Sequence, residues 1–400
     1  MTLPTICILP WISLETAPDG AARPCCLYDG KIKDENGVEY NLKKDTLDTV
    51  YKSGYMQKLR QDFRNGTKPE ACRRCWAEEG AGRTSKRMHM IRRHGTKSVD
   101  IANDKPDQLW FIDLKLGNIC NLKCRICGGW SSSAWATEDY TNSSLVDPRT
   151  HVAYKWLKQG QWPKDNAVFW DNMKAILPHI KYFEITGGEP FMIKEHFELL
   201  EFAIDNGYAG NIEIHYNTNG THYPEEHVWM WEYFKSVEIA FSIDNVGDKF
   251  EYERSGAKWD DVVKNITKFH LLRHVSSNIR TQVCMTISAL NILYLKELCD
   301  WVNTQNFDYD YFNLLHDPSY FCITQLPDDV KKIIDIRLTT RHFSPEHRKE
   351  VEHILGFMMV THRTGNPRLI DELKKIDLRR NQCLTDSHTE LAEMLNYPRE

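Results

Sequence analysis

Three cysteines, Cys120, Cys124 and Cys127, lie within eight residues in the stretch Leu116-Gly117-Asn118-Ile119-Cys120-Asn121-Leu122-Lys123-Cys124-Arg125-Ile126-Cys127. Three thiolates on one loop suit a cubane iron–sulfur cluster in which one iron has no protein ligand. Zinc takes four ligands, usually from paired Cys-x2-Cys or His spacings, and no fourth lies close by; a zinc knuckle completed by a distant residue is the alternative. An iron left open to an outside ligand is a place where chemistry can occur.

Other chemistry-bearing residues fall into short polar groups. Ile185-Thr186 is followed by Gly187, Gly188 and Glu189, where two glycines let backbone approach a ligand and a carboxylate could hold an ammonium. Asn217 and Asn219 form an amide cluster suited to hydroxyl and carboxylate groups. Ser242 and Asp244 precede Arg254, whose planar fork grips carboxylates. Each group alone could be ordinary turn chemistry or a surface ion pair. Near the amino terminus, Cys7 and Cys25 (with Cys26 beside it) are joined by Cys72-x2-Cys75. Taken blindly, those two thiolate pairs describe a closed zinc site.

These residues need elements to hold them. Short β-prone runs occur at Leu109–Leu116, Lys181–Thr186, Asn211–Asn217, Val237–Ile243, Arg280–Ser288 and Tyr309–Leu315. Helical patterns intervene at Glu195–Asn206, Pro224–Lys235, Trp259–His274 and Leu293–Asn306. The alternation predicts an α/β protein with a parallel sheet, either open and doubly wound or a partial barrel. The cysteine loop follows the first run, and the polar groups follow later ones, so all should gather at the carboxyl edge of the sheet.

Residues 1–105 differ, being rich in turn residues, with one helix expected near 46–64 and another from about 73. The basic stretch Arg83–Asp107 reads as a linker or irregular extension. Residues 128–180 carry Trp130, Trp135, Trp156, Trp162 and Trp170, a set that could form a lid but that more commonly packs as core. Beyond residue 325 the chain reads as helices at Asp328–Thr340, Pro345–Thr361 and Pro367–Ile376.

A net charge of −5 with both signs interspersed gives no signature of nucleic-acid or anionic-membrane binding. No apolar run approaches the roughly 20 residues of a membrane span, and the start lacks the basic flank of a signal peptide, so a cytoplasmic location is expected. In a reducing compartment, clustered cysteines point to metal or redox work. Cys284, Cys299, Cys322 and Cys383 stand alone among the 12 and read as packing.

With its C-x3-C-x2-C loop, and Gly187-Gly188-Glu189 after the second strand, the stretch 109–316 resembles the radical SAM superfamily. The resemblance implies a partial (β/α)6 TIM-like barrel over about residues 106–320, followed by a helical extension at 321–400. It implies a [4Fe–4S] cluster on Cys120, Cys124 and Cys127 whose open iron binds S-adenosylmethionine. Gly187, Gly188 and Glu189 would meet the methionine amine and Ser242 and Arg254 its carboxylate. Asn217, Asn219 and Asp244 would contact ribose or carboxylate. Many members have an aromatic residue before the third cysteine, where this chain has Ile126.

Cys7-x12-Gly20-x4-Cys25 followed by Cys72-x2-Cys75 resembles the SPASM/twitch modules, which implies a second, auxiliary [4Fe–4S] cluster, with Cys26 as alternate to Cys25. In most relatives that module follows the barrel; here residues 1–105 precede it. The implied activity is reductive cleavage of S-adenosylmethionine to a 5′-deoxyadenosyl radical that removes hydrogen from a peptide or protein. A small polyol or aminosugar is the alternative substrate, and a non-catalytic iron–sulfur or zinc module the alternative outside enzymes. A flavodoxin or ferredoxin would supply electrons.

Overall fold

The computed structural model describes residues 5–398 except 81, 104–105, 107, 144–147, 165 and 361–366. Its strands are β1 (Ser13–Thr16), β2 (Ala22–Arg23), β3 (Phe111–Lys115), β4 (Lys123–Cys124), β5 (Tyr182–Thr186), β6 (Glu213–Thr218), β7 (Ser236–Ser242), β8 (Arg254–Ser255), β9 (Ile279–Ile287) and β10 (Tyr309–Leu314). Eight form one sheet in the order β10-β9-β7-β6-β5-β3-β1-β2, and all neighbours are parallel except β1 and β2. All six expected strands are present, within two residues of their expected ends, in an α/β arrangement around a mostly parallel sheet.

Alternation along each strand gives the sheet two unlike faces. One face carries buried apolar side chains such as Ile112, Leu114, Phe183, Ile185, Ile214, Tyr216, Val237, Ile239 and Phe241, and it packs under the helices. Behind it, Phe191, Trp231, Phe241 and Phe269 form an aromatic cluster, with centroids of 5.8 Å for Phe191–Trp231 and 5.2 Å for Phe241–Phe269. The inner face carries a registered row of Glu15, Asp113, Glu184, His215 and Glu238 across β1, β3, β5, β6 and β7. A parallel sheet buried on both faces would be apolar on both; this one keeps its inner face charged.

Four differences from the sequence expectations have physical causes. The amino-terminal block adds a seventh parallel strand to the expected six, because β1 pairs with β3 from Ser13↔Phe111 to Thr16↔Leu114. The helix expected near 46–64 is two helices, Leu47–Tyr51 and Gly54–Arg64, since Ser53 caps the second through Met56 N. Pro224–Lys235 forms only a 3₁₀ segment, Val228–Tyr233, whose Met230 and Trp231 are buried. Where a linker or irregular extension was expected, the described part of Arg83–Asp107 contains the helix Lys86–His94, capped by Ser85, whose cations reach the inner face of the sheet.

After β10 the helices Asp328–Thr340, Pro345–Met358 and Pro367–Arg380 follow, as expected in place and type. Among the described residues no helix is long and apolar enough to cross a membrane.

Candidate functional site

The cysteine loop leaves β3 through Gly117, at φ +80, where an added Cβ would sit 1.8 Å from the Gly160 carbonyl. Asn118 fixes the next turn by donating from its backbone N to Gly160 O (2.8 Å) and from Nδ2 to Gly129 O (2.7 Å). Gly188, at φ +59, lies against the same loop: a Cβ there would be 2.2 Å from Ile119 O. Glu189 N donates to that carbonyl at 2.7 Å. The Gly-Gly pair therefore permits the end of β5 to touch the residue before Cys120.

Cys124 lies in β4, paired antiparallel with Arg254 of β8. That register sets Arg254 Nη1 3.8 Å from Cys124 Sγ, while Nη2 bonds Asp244 at 2.6 Å. Asn219 Nδ2 stands 3.7 Å from Cys120 Sγ. Burial, then the charge of Cys124, pushes the thiols of Cys120 and Cys127 up to about 12. Three shielded thiols, two of them raised by the charge of Cys124, form a donor set whose thiolates need a shared cation. An iron–sulfur cluster fits that demand.

The structure places the other expected contacts as follows. Glu189 is fully buried and accepts from Thr218 Oγ1 (2.7 Å), Asn219 N (2.7 Å) and Phe191 N (3.3 Å). Burial lifts its carboxyl to about 7 despite those donors. Asp244 accepts from Thr286 N (2.9 Å) as well as Arg254. Both carboxylates thus already brace the strand ends. Asn217 accepts from Tyr311 OH at 3.3 Å, and Ser242 sits half-buried at the end of β7. Ile126 packs against the core.

The insertion after the loop supports it. Trp135 Nε1 donates to Cys124 O (2.7 Å), and Ser132 Oγ to Leu122 O (2.5 Å). Trp135 and Trp162 are buried, whereas Trp130 is 37% exposed. The helix Pro367–Arg380 adds a second brace that the sequence did not disclose. Arg380 stacks over Trp135 at 4.4 Å and donates to Lys123 O at 2.7 Å. Arg125, from the loop itself, lies 3.5 Å over the Tyr252 ring and pairs with Asp377 at 2.6 Å.

Cys7, Cys25, Cys72 and Cys75 line one small cavity together with Tyr28 and Arg87. Burial, then neighbouring thiols, raises Cys72 to about 12 and drives Cys7 well up. Four closely placed thiols around one cavity fit a second cluster. Cys26 is not among them. Its Sγ lies within 4.8 Å of carboxylate oxygens of Asp113 and Glu184, on the inner face. Lys86 Nζ sits between these groups, 2.8 Å from Cys26 Sγ, 2.6 Å from Glu184 and 3.4 Å from Asp113. The sequence held a signal for this group: carboxylates interrupt the apolar alternation at the centre of both Phe-Ile-Asp-Leu-Lys and Tyr-Phe-Glu-Ile-Thr.

Residues 114–301 match the model of the Radical SAM superfamily, and residues 7–76 match SPASM, an iron–sulfur cluster-binding domain. No curated protein matches the chain. Solved structures similar to it include native anSMEcpe with bound AdoMet and Cp18Cys peptide, at 17% identity over 57% of this chain and 59% of that one, with a TM-score of 0.39. Streptococcus suis SuiB bound to precursor peptide SuiA is 13% identical over 76% of this chain and 64% of that one, with a TM-score of 0.34. The chain spans less than two thirds of the length of each.

Proposed function

We propose, for a chain whose residues 114–301 belong to the radical SAM superfamily and whose residues 7–76 form a SPASM module, a hydrogen-abstracting modification of a peptide or protein substrate. Cys120, Cys124 and Cys127 would hold the [4Fe–4S] cluster that binds S-adenosylmethionine, and Cys7, Cys25, Cys72 and Cys75 the auxiliary one. When bound, the first cluster and S-adenosylmethionine supply a carbon-centred radical by one-electron reductive cleavage. The chain's own residues do the rest. Gly187 and Gly188 let backbone approach the amino group of S-adenosylmethionine, and Ser242 and Asn217 offer polar atoms toward the same mouth. Arg254, shared between Asp244 and Cys124, couples the cluster loop to the end of β7.

The observation that carries this reading is the convergence of the Cys120–Cys127 loop, Gly188 and Asn219 at one sheet edge. A peptide side chain suits the inner face better than a polyol does. Lys86, Glu184, Arg93, Glu213 and Glu238 are already bonded to one another or to their neighbours, which leaves few groups free to grip many hydroxyls. A flavodoxin or ferredoxin is the electron donor of this reading.

Anaerobic reconstitution of the full chain tests it. About eight irons per chain are expected for two cubane clusters. 5′-Deoxyadenosine should form from S-adenosylmethionine and reductant. Zinc occupancy with no deoxyadenosine would overturn the reading.

A further inference from the structure

Cys26 is the cysteine of the amino-terminal block that lines no cluster cavity, and Lys86 comes from the helix laid across the inner face. Their atoms approach to 2.8 Å, inside ordinary van der Waals contact between nitrogen and sulfur and near the span of one bridging oxygen. The Lys86 side chain is 15% exposed and Cys26 is half-buried, so the pair is held in place yet open to a small dissolved oxidant. Glu184, 2.6 Å from Nζ, pairs with the ammonium and holds it beside the sulfur. Asp113 Oδ1, buried beside them, has no partner and can follow any change in the charge of Lys86.

We propose that Cys26 and Lys86 are an oxidative modification site, at which dioxygen joins them through a nitrogen–oxygen–sulfur bridge. The ammonium first gives one proton to solvent water. The S–H bond and one N–H bond then break, and S–O and N–O bonds form. Sulfur and nitrogen each lose two electrons; dioxygen takes all four, leaving one oxygen in the bridge and the other in water with the two hydrogens. A cysteine oxidised this far is still on the reversible part of its ladder, where thiols restore it. The bridge ties the residue after Cys25 to the helix Lys86–His94. It also removes the cation that sits between Asp113 and Glu184. Oxidation thereby locks the helix over the inner face from a point adjoining the auxiliary cluster's cavity.

Peptide mapping of the full-length protein tests this without any substrate. Protein purified anaerobically and protein exposed to air are alkylated, digested without reductant and analysed by mass spectrometry. The air-exposed sample should yield a linked pair of peptides containing Cys26 and Lys86, heavier than their sum by one oxygen less two hydrogens, with cleavage blocked at Lys86. Dithiothreitol should release the pair. Lys86→Arg keeps a cation between the carboxylates and should abolish the link, as should Cys26→Ser. Recovery of Cys26 as a free thiol, as a disulfide with Cys25, as sulfinic acid or directly bonded to nitrogen would overturn the bridge. Iron content and deoxyadenosine formation are read separately, so failure here leaves the proposed function standing.

Discussion

At the scale of single residues, adjacent cysteines have been given different surroundings. Cys25 faces the cavity shared with Cys7, Cys72 and Cys75, and Cys26 faces Lys86, Asp113 and Glu184. Cys25→Ala should therefore cost the chain about half its iron, the share of one of two cubane clusters, while Cys26→Ala leaves iron intact. Iron per chain after anaerobic reconstitution decides between them, and equal losses would refute the assignment. Gly188 permits a second test. Alanine there must adopt φ +59, at about 1–2 kcal/mol, and must also push Ile119 O away from 2.2 Å. Gly188→Ala should lower the thermal midpoint and weaken iron retention by the Cys120–Cys127 loop, both measurable on one preparation.

At the scale of elements, the cluster loop is clamped from outside the barrel. Asp377, on the helix Pro367–Arg380, accepts from Arg125 (2.6 Å), Tyr252 OH (3.0 Å), Tyr397 OH (2.8 Å) and Leu384 N (2.9 Å). Removing it strands the fully buried Arg125, so Asp377→Ala should destabilise by about 3–5 kcal/mol. Denaturant titration checks the magnitude, and faster proteolysis within 367–398 checks the location. The helix Lys86–His94 gives a pH-dependent counterpart on the inner face. Burial alone would raise the Glu238 carboxyl, but His215 and Arg93 outweigh it and hold it at about 2. A carboxyl depressed from its ordinary value of 4.5 contributes stability that is fully present above that value and lost as pH falls toward 2. The contribution is up to about 3 kcal/mol. Glu238→Gln should flatten the stability profile below pH about 4.5, and an unchanged acid slope would count against the pairing.

At the scale of the whole molecule, the six barrel strands were legible because β-branched and aromatic residues alternate between turn signals, a local property of the chain. The spacing of Cys120, Cys124 and Cys127 was visible for the same reason, since the three lie on one loop and close in sequence. The helix at 86–94 was not legible, since a short basic segment has no apolar stripe to declare it. It folds there because Lys86 and Arg93 find carboxylates contributed by four strands distant in sequence. The bracing role of Arg125 likewise depends on Asp377, 252 residues away. By itself, then, the sequence determined the parallel sheet and the grouping of Cys120, Cys124 and Cys127 on one loop, both written in local pattern. Tertiary structure alone decided which of Cys25 and Cys26 joins the cavity, which carboxylates are already occupied, and what holds the loop still. Those outcomes depend on charges and carbonyls brought together only when the sheet closes its register.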